Sequence, residues 1–420
     1  MKTDIKILQG HQIGGCITII SSNTTRIVID FGESLPGAES NKNVDFDWDK
    51  EKIDAVFFTH YHGDHIGRIN EIPSNIPIYM GKASFDIMMN IKNTLRLEDE
   101  TQLLKDRNNI YFLETNVASI VGDIEVTPYS VDHSAFDAYM FLIHSKNEYI
   151  LHTGDFRDHG HKGTRNGKSI ILEVIDHYIR QNGKRDINAL ILEGTMMSRI
   201  NERHYSEKDM LNNLTEEFKS NKYVFLKISS TNVDSLASFS KAAERNGMKM
   251  YVGQYLLKQI EIYRTIGAEH GTNMYNFSNV LPYLPCPDDC VSEKQISSSV
   301  IQRQHMRQDG FIIIVSEKGD YKKVIDEFCD LPTKTYYSMW KGYLIPESPA
   351  FNKELYNLCE YTHADTTFHT SGHAYPKLLE KVIEAVNPTD AIIPIHTEKA
   401  EEFLNLNISE NLKNIICTNI

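Results

Sequence analysis

The sequence lacks the features that mark membrane and secreted proteins. No stretch approaches the roughly 18 consecutive apolar residues that a membrane-spanning helix needs. Residues 1–6 do not begin the apolar core of a signal peptide. We therefore expect a cytoplasmic chain without a membrane partner.

Cysteine is also scarce, with six residues in a chain of 420. They are scattered, and no secretion signal accompanies them, which indicates a reducing compartment rather than a disulfide framework. Only Cys286 and Cys290 stand close together, and the two further ligands of a structural zinc site are not evident nearby. The 41% of hydrophobic residues is ordinary for a globular chain that is long enough for two cores.

The chain does contain a dense group of metal-ligand side chains, formed by His60, His62, Asp64 and His65. The group begins two residues after the apolar residues 55–58, which are predicted to form a strand. Open α/β sheets bind ligands at the carboxyl ends of their strands, so a site is expected there. His60 and His62 can point the same way from an extended segment and share one cation, while Asp64 and His65 can reach a second.

Other predicted strands end in further candidate ligands. His133 follows residues 125–131, Asp155 follows residues 149–152, and His396 follows residues 390–395. A single histidine at a strand end is more often solvated or hydrogen-bonded than metal-bound, but several strand ends together with the first group favour a site. Asp155 is the candidate bridge between two cations. Asp30 is a candidate partner behind a ligand, because metal-bound histidine often donates its other ring N–H to a carboxylate.

Imidazole and carboxylate ligands without thiolate suit Zn²⁺, with Mn²⁺ as the alternative. A shared carboxylate lets two cations sit roughly 3.5–4 Å apart, and such a pair lowers the pKa of bound water from 15.7 to about 7. It also holds the attacking and leaving oxygens during displacement at phosphorus. The ligand set therefore predicts phosphodiester hydrolysis by a hydroxide that two zinc ions activate.

In their order along the chain, these residues resemble the metal motifs of the metallo-β-lactamase superfamily. Within it, Glu193 after a strand, the segment from His369 through Ser371 to His373, and the late His396 resemble motifs of the β-CASP nucleases, and most of all those of ribonuclease J. The resemblance implies an α/β fold, a four-layer αββα metallo-β-lactamase sandwich with an inserted α/β β-CASP domain.

The resemblance also implies two sets of metal ligands that share Asp155. One zinc ion would be held by His60, His62 and His133, and the other by Asp64, His65 and His396. Asp64 would in addition accept a proton from the attacking water. His373 would contact the scissile phosphate, and Glu193 would support a neighbouring ligand. Ser371 and His369 would contact the substrate.

A histidine in the last metal motif is typical of the RNA-processing branch of the β-CASP nucleases. His396 lies at the corresponding place and therefore favours an RNA substrate. The Gly-Ser-rich turn of ribonuclease J is not recognisable at residues 311–320, which leaves endonuclease and 5′→3′ exonuclease modes both open. Two alternatives remain. One is a dinuclear metallohydrolase of small phosphorylated or ester substrates, and the other is a nucleic-acid-binding subunit without activity.

The ligand pattern is interrupted between residues 199 and 361. This predicts a metallo-β-lactamase domain in two parts, residues 1–198 and 362–420, with an inserted domain at 199–361. The formal net charge is −13, whereas lysine and arginine supply most of the affinity for nucleic acid. The segment after Asp155 nevertheless carries Lys162, Arg165 and Lys168, which we expect to follow the substrate backbone unless they lie on a solvated surface loop. The sequence leaves the oligomeric state open, including a homo-oligomer.

Overall fold

The computed structural model describes residues 3–35, 42–181, 186–202, 204–269 and 271–418. The chain forms two compact units, Met1–His204 with Gly372–Ile420, and Tyr205–Ser371. Their limits lie several residues beyond the domain boundaries expected from the sequence. Within the described ranges, no helix is both long and apolar enough to cross a membrane.

The elements of both units are numbered together in chain order. The strands are β1 (Asp4–Leu8), β2 (Ile17–Ser21), β3 (Arg26–Ile29), β4 (Ala55–Phe57), β5 (Ile78–Met80), β6 (Ile110–Phe112), β7 (Ser119–Val121), β8 (Ile124–Val131), β9 (Ala138–Ser145), β10 (Glu148–His152), β11 (Thr164–Arg165), β12 (Lys168–Ser169), β13 (Ala189–Glu193), β14 (Tyr223–Ile228), β15 (Lys249–Val252), β16 (Val280–Pro282), β17 (Phe311–Ile314), β18 (Lys334–Ser338) and β19 (Ala391–Ile395). The α-helices are α1 (Trp48–Glu51), α2 (Gly63–Ile66), α3 (Lys82–Thr94), α4 (Glu98–Asp106), α5 (Ile170–Val174), α6 (Glu207–Glu217), α7 (Val233–Arg245), α8 (Gln254–Glu269), α9 (Glu293–Asp309), α10 (Tyr321–Asp326), α11 (Lys353–Thr362), α12 (Pro376–Val386) and α13 (Glu410–Lys413).

The first unit contains two six-stranded sheets, with strand orders β1-β2-β3-β4-β5-β6 and β19-β13-β10-β9-β8-β7. One core lies between the two sheets. A second core lies between the first sheet and its helices, and a third between the second sheet and its helices. Strand β4 shows why its sequence is continuously apolar: Ala55 and Phe57 face the core between the sheets, while Val56 faces the helical side. The four layers confirm the predicted αββα sandwich.

Strand direction brings the candidate ligands to one edge of each sheet. Strands β3 and β4 are parallel neighbours, so Asp30 and His60 emerge at the same end. Strands β10, β13 and β19 are also parallel neighbours, which places Asp155, Glu193 and His396 at a common end. Strand β8 runs in the same direction as β10, because both are antiparallel to β9 between them. The turns that follow these strands therefore supply the site.

The second unit is built on a parallel five-stranded sheet with the order β16-β15-β17-β14-β18. Its core includes Phe225, Phe311 and Tyr337. Helix α6 begins with a capping box, in which the Ser206 side chain accepts from the Asp209 backbone N–H and the Asp209 side chain accepts from the Ser206 backbone N–H.

Two helical segments of the first unit are irregular. The helical pattern of residues 82–105 forms two helices, α3 and α4, with a break at Arg96, whose φ of 58° is left-handed. The acidic first turn of α4 favours a new helix start there, since negative side chains interact well with a helix N-terminus. The helix that begins with α5 changes at Ile175 into a π-helical segment, Ile175–Gln181.

Candidate metal centre

Three histidine side chains converge beyond the carboxyl ends of β4 and β8. His60 Nε2 lies 3.1 Å from His62 Nδ1, and His133 Nε2 lies 3.2 Å from the same His62 atom. Burial, together with the neighbouring histidines, holds the pKa of His60 and that of His133 well below 6.5. Burial likewise lowers the pKa of His62 to about 4. The three rings are therefore neutral at pH 7, as metal-binding imidazoles must be.

Hydrogen bonds behind two of these rings determine which nitrogen is protonated. His133 Nδ1 is 2.6 Å from the carbonyl oxygen of Gly372, which can only accept, so this nitrogen carries the hydrogen. The Thr59 hydroxyl donates to Asp30 at 2.7 Å and therefore accepts from His60 Nδ1, 3.0 Å away. In both rings the Nε2 lone pair points toward His62.

The spacing of these nitrogens fits a metal ion. Four tetrahedral ligands at about 2.0–2.1 Å from zinc lie about 3.3 Å from one another. The measured separations of 3.1 and 3.2 Å are close to that value. His60 Nε2 and His133 Nε2 both direct a lone pair toward the same His62 nitrogen, and a cation between the three nitrogens would bind both. The donor set therefore fits a divalent cation of the zinc type.

A second cluster contains carboxylate as well as imidazole groups. Ligand atoms of Asp64, His65 and His396 all lie within 4.8 Å of one another, and His396 Nε2 is 3.2 Å from Asp64 Oδ2. Burial acts to lower the pKa of His65, but Asp155, Asp64 and Asp30 outweigh it and raise that pKa well above 6.5. The pKa of His396 is also raised, because Asp155 and Asp64 outweigh its burial. This excess of negative charge favours a cation.

Asp155 lies between the two clusters. Its Oδ2 is 3.1 Å from His65 Nε2 and 4.0 Å from His60 Nε2, and its Oδ1 is 3.9 Å from His396 Nδ1. The turn from β10 passes through Gly154, which has a φ of 54°. A Cβ at Gly154 would lie 2.7 Å from a backbone oxygen of β9, so glycine allows this close approach. Asp155 thus lies near ligand atoms of both clusters, and its role as a bridging ligand remains a prediction.

Asp30 contacts both clusters from behind. Its Oδ2 is 2.8 Å from His65 Nδ1, and its contact with Thr59 extends to His60. Asp30 adopts a φ of 59°, a left-handed conformation that aspartate tolerates better than most residues. Support of a metal ligand by Asp30 remains a prediction. Thr59 was missed, although a hydroxyl residue directly before the first ligand was a visible signal.

Glu193 and His373 lie beside Asp155. The Glu193 carboxylate is buried and accepts backbone hydrogen bonds from Thr195 at 2.9 Å and Ala374 at 3.0 Å. His373 Nδ1 is 3.6 Å from Asp155 Oδ2 and 3.5 Å from Glu193 Oε1, and its side chain is 20% exposed. Glu193 therefore holds the segment that carries His373, while the ring of His373 reaches solvent.

Two further supporting residues were missed by the sequence analysis. The Thr195 hydroxyl lies 2.8 Å from His396 Nδ1, on the far side of that ring from Asp64. Gly372 accepts from His133, and a Cβ at Gly372 would lie 2.6 Å from Ser134 Oγ and 3.2 Å from His133 Cε1. Glycine is therefore required for the carbonyl to approach His133 so closely.

Two of the three basic residues that are predicted to follow the substrate backbone have partners within the protein. Lys162 Nζ donates to the backbone carbonyl oxygen of Phe136 at 2.6 Å. It also lies 4.8 Å from the centre of the Phe136 ring. Arg165 pairs with Glu173 at 2.8 Å. Arg165 and Lys168 are exposed on the hairpin of β11 and β12. Contact of these residues with a substrate remains a prediction.

His369 and Ser371 fall within the residue range of the second unit. Both are partly buried and lie in an irregular segment between α11 and α12. Their contacts with substrate also remain predictions.

Comparison with known proteins supports the same interpretation of the fold. Residues 15–192 match the family model of the metallo-beta-lactamase superfamily. The chain is 23% identical to ribonuclease J of Sinorhizobium meliloti over 410 residues, which cover 89% of this chain and 64% of that protein. It is 31% identical to ribonuclease J of Helicobacter pylori strain 26695 over 159 residues, 35% of this chain and 22% of that protein. The matched part thus spans less than two thirds of these relatives.

A solved structure shows the same fold. The crystal structure of a protein of unknown function from Enterococcus faecalis V583 superposes with a TM-score of 0.65 at 19% identity, covering 96% of each chain. The superfamily implies binding of divalent metal, which agrees with the donor sets described above. The chain therefore has the metallo-β-lactamase fold and is ribonuclease J-like over most of its length.

Proposed function

We propose that the protein is a ribonuclease that hydrolyses RNA phosphodiester bonds with two divalent cations, of which Zn²⁺ suits the donors best. The observation that carries the proposal is the convergence of two ligand clusters on Asp155, with neutral nitrogen lone pairs on one side and carboxylates on the other. The similarity to two proteins named ribonuclease J suggests RNA as the substrate. We further propose that the second unit, Tyr205–Ser371, is the β-CASP insertion.

Seven residues are proposed as metal ligands: His60, His62 and His133 in the first cluster, Asp64, His65 and His396 in the second, and Asp155 shared between them. When bound, two divalent cations supply Lewis acidity that lowers the pKa of water and stabilises charge at phosphorus. Asp30 and Thr59 hold the ring hydrogens of His65 and His60 on the outer side, so that Nε2 faces inward.

Asp64 is the proposed proton acceptor. Burial acts to raise the pKa of its carboxyl, but His65 and His396 outweigh burial and hold that pKa below its ordinary value. The carboxylate is therefore ionised at neutral pH and can accept a proton. His373 is proposed to donate a hydrogen bond to a phosphate oxygen of the RNA. Ser371 and His369 are proposed to contact the same RNA strand. One well-placed donor of this kind is worth about 3 kcal/mol of transition-state stabilisation.

The alternative is a dinuclear hydrolase of small phosphorylated or ester substrates. It is favoured by the formal net charge of −13 and by the internal partners of Lys162 and Arg165, which reduce the positive charge available to a long nucleic acid.

Incubation of the zinc-loaded protein with linear RNA, circular RNA, bis(p-nitrophenyl)phosphate and a thioester tests the choice. We expect RNA cleavage by the wild type and by His144→Ala, but not by His65→Ala. His144 is the matched control, because it lies on β9 and stacks on Tyr149 away from the metal ligands. Cleavage of circular RNA would establish an internal mode. Turnover of the small esters alone would instead support the alternative.

A further inference from the structure

A third group of metal-ligand side chains lies in the first unit, apart from the seven proposed ligands. It consists of Asp158, His159 and His204, and one ligand atom from each lies within 4.8 Å of those of the other two. His159 is buried, Asp158 is partly buried and His204 is exposed. The group joins two segments that are distant in sequence, because Asp158 and His159 follow Asp155 while His204 follows the turn after Glu193.

The imidazole rings are held by their neighbours. His159 and His204 have ring centroids 5.3 Å apart, and Tyr375 lies 4.8 Å from the first and 4.6 Å from the second. Tyr375 is itself buried, so it limits the orientations that His159 can adopt. His159 is thus held in place before any ligand arrives, which reduces the cost of binding.

The separation of the ligand atoms suits closure around a cation. Tetrahedral zinc ligands lie about 3.3 Å apart, so a shift of roughly 1.5 Å from the upper limit of 4.8 Å completes the geometry. His204 can supply this shift, because its exposed side chain can change rotamer at little cost. Two imidazoles and one carboxylate are a common three-ligand set for zinc.

The acidic member of the group, Asp158, is partly buried. Burial raises the pKa of its carboxyl, although His204, Lys381 and Ser169 act in the opposite direction. A cation next to this carboxylate would offset the cost of burying its charge. A cavity of about 660 Å³ is lined by Asp158, His204 and Tyr375, among others, and leaves room for a fourth ligand.

We propose that Asp158, His159 and His204 form a third zinc site, with three protein ligands and a fourth position open to this cavity. The proposal does not depend on ribonuclease activity. The Asp158 segment is also bonded to the residue before His133, because Gly160 N donates to Asp132 Oδ2 at 2.8 Å. A cation here would therefore brace the loop that follows Asp155.

Metal counting on the whole chain tests the proposal. Chelator-stripped protein is dialysed against graded concentrations of Zn²⁺, and bound zinc is measured by atomic absorption. We expect His204→Ala to bind one zinc ion per chain fewer than the wild type. His177→Ala is the matched control and should bind as many ions as the wild type, since His177 is also exposed and contacts a tyrosine ring, that of Tyr178.

A conservative variant distinguishes the loss of a ligand from a general loss of structure. Asp158→Asn keeps the size of the side chain but removes its charge, and should weaken binding of that one ion at least tenfold in competition with a chromophoric chelator. The remaining ions should be unaffected, and thermal unfolding of metal-free His204→Ala should match that of the wild type. Equal zinc content and equal affinities in the wild type, His204→Ala and Asp158→Asn would overturn the proposal.

Discussion

The two proposed metal clusters use the same residue type in opposite electrostatic settings. In the cluster of His60, His62 and His133, burial lowers the histidine pKa values, and the rings remain neutral. In the cluster of His65 and His396, the carboxylates overcome burial and raise the histidine pKa values. The surroundings of a histidine therefore decide whether it offers a lone pair or holds a proton. The first cluster should attract a cation mainly by coordination, and the second also by charge.

The largest effect is expected where the two clusters meet. Asp155→Ala removes a group that lies near His60, His65 and His396 together, so both cations should be lost or bound weakly. Cleavage of RNA should fall on the order of a thousandfold or more, because two metal ions contribute several kcal/mol to catalysis. The measurements are zinc content and cleavage rate, with the exposed Asp123→Ala as control. Retention of both ions by Asp155→Ala would contradict a bridging role.

Replacing one ligand in each cluster separates the two. His62→Ala should release the cation of the first cluster and His396→Ala that of the second, each leaving the other ion bound. The zinc affinity of the altered cluster should fall by more than the roughly 10–100-fold that is typical when a residue hydrogen-bonded to a metal ligand is replaced. Zinc titration of both variants measures this difference. Loss of both ions from either variant would show that the clusters do not bind independently.

Replacing the residues that hydrogen-bond to the ligands should lower zinc affinity less than replacing the ligands themselves. Each replacement should again affect mainly one cluster. Asp30→Asn weakens the direct contact with His65, whereas Thr59→Val removes the hydroxyl that accepts from His60. We expect zinc affinity to fall about 10–100-fold, mainly at the second cluster for Asp30→Asn and at the first for Thr59→Val. The measurement is the zinc affinity of each of the two clusters. An identical pattern in both variants would argue against separate support of the two clusters.

Acid should destabilise the metal-free protein through its neutral buried histidines. Burial lowers the pKa of His152 to about 4 from 6.5, so the unfolded state binds more protons between these values. The stability that His152 contributes is present above about pH 6.5 and is lost as the pH falls toward 4. For this residue alone the loss is on the order of 3 kcal/mol. Urea unfolding at pH 7 and pH 5 captures about 2 kcal/mol of this loss, and His152→Gln should reduce the pH dependence. An unchanged dependence would be the contrary result.

The smallest effect is expected outside both clusters. Replacing Lys162, Arg165 and Lys168 with alanine should weaken RNA binding only a few-fold and reduce its salt dependence slightly, because Lys162 and Arg165 already have internal partners. Binding isotherms at two salt concentrations measure this effect. The control is an equal replacement of three exposed lysines elsewhere, Lys50, Lys105 and Lys258. Unchanged affinity and salt dependence would remove these residues from the proposed substrate path.

Local sequence was enough to predict much of the fold. Strands such as β4 are buried on both faces, which makes the sequence continuously apolar and the strand easy to identify. The ligand types that follow β4, β8, β10 and β19 were visible for the same reason, since the first ligand after each strand stands within three residues of its end. The break at Arg96 was not visible, because the helical pattern continues on both sides of it.

The sequence by itself determined which side chains are available as ligands and that they follow strands, because strand periodicity and ligand chemistry are local properties. Only the tertiary structure decided how those ligands are supported. Gly372 meets His133 across 239 positions of the chain, and Thr195 meets His396 across 201. Such pairs depend on strand order and on close backbone approach, which no local pattern encodes. The charge around each histidine also comes from distant carboxylates, so the contrast between the two clusters arises only on folding.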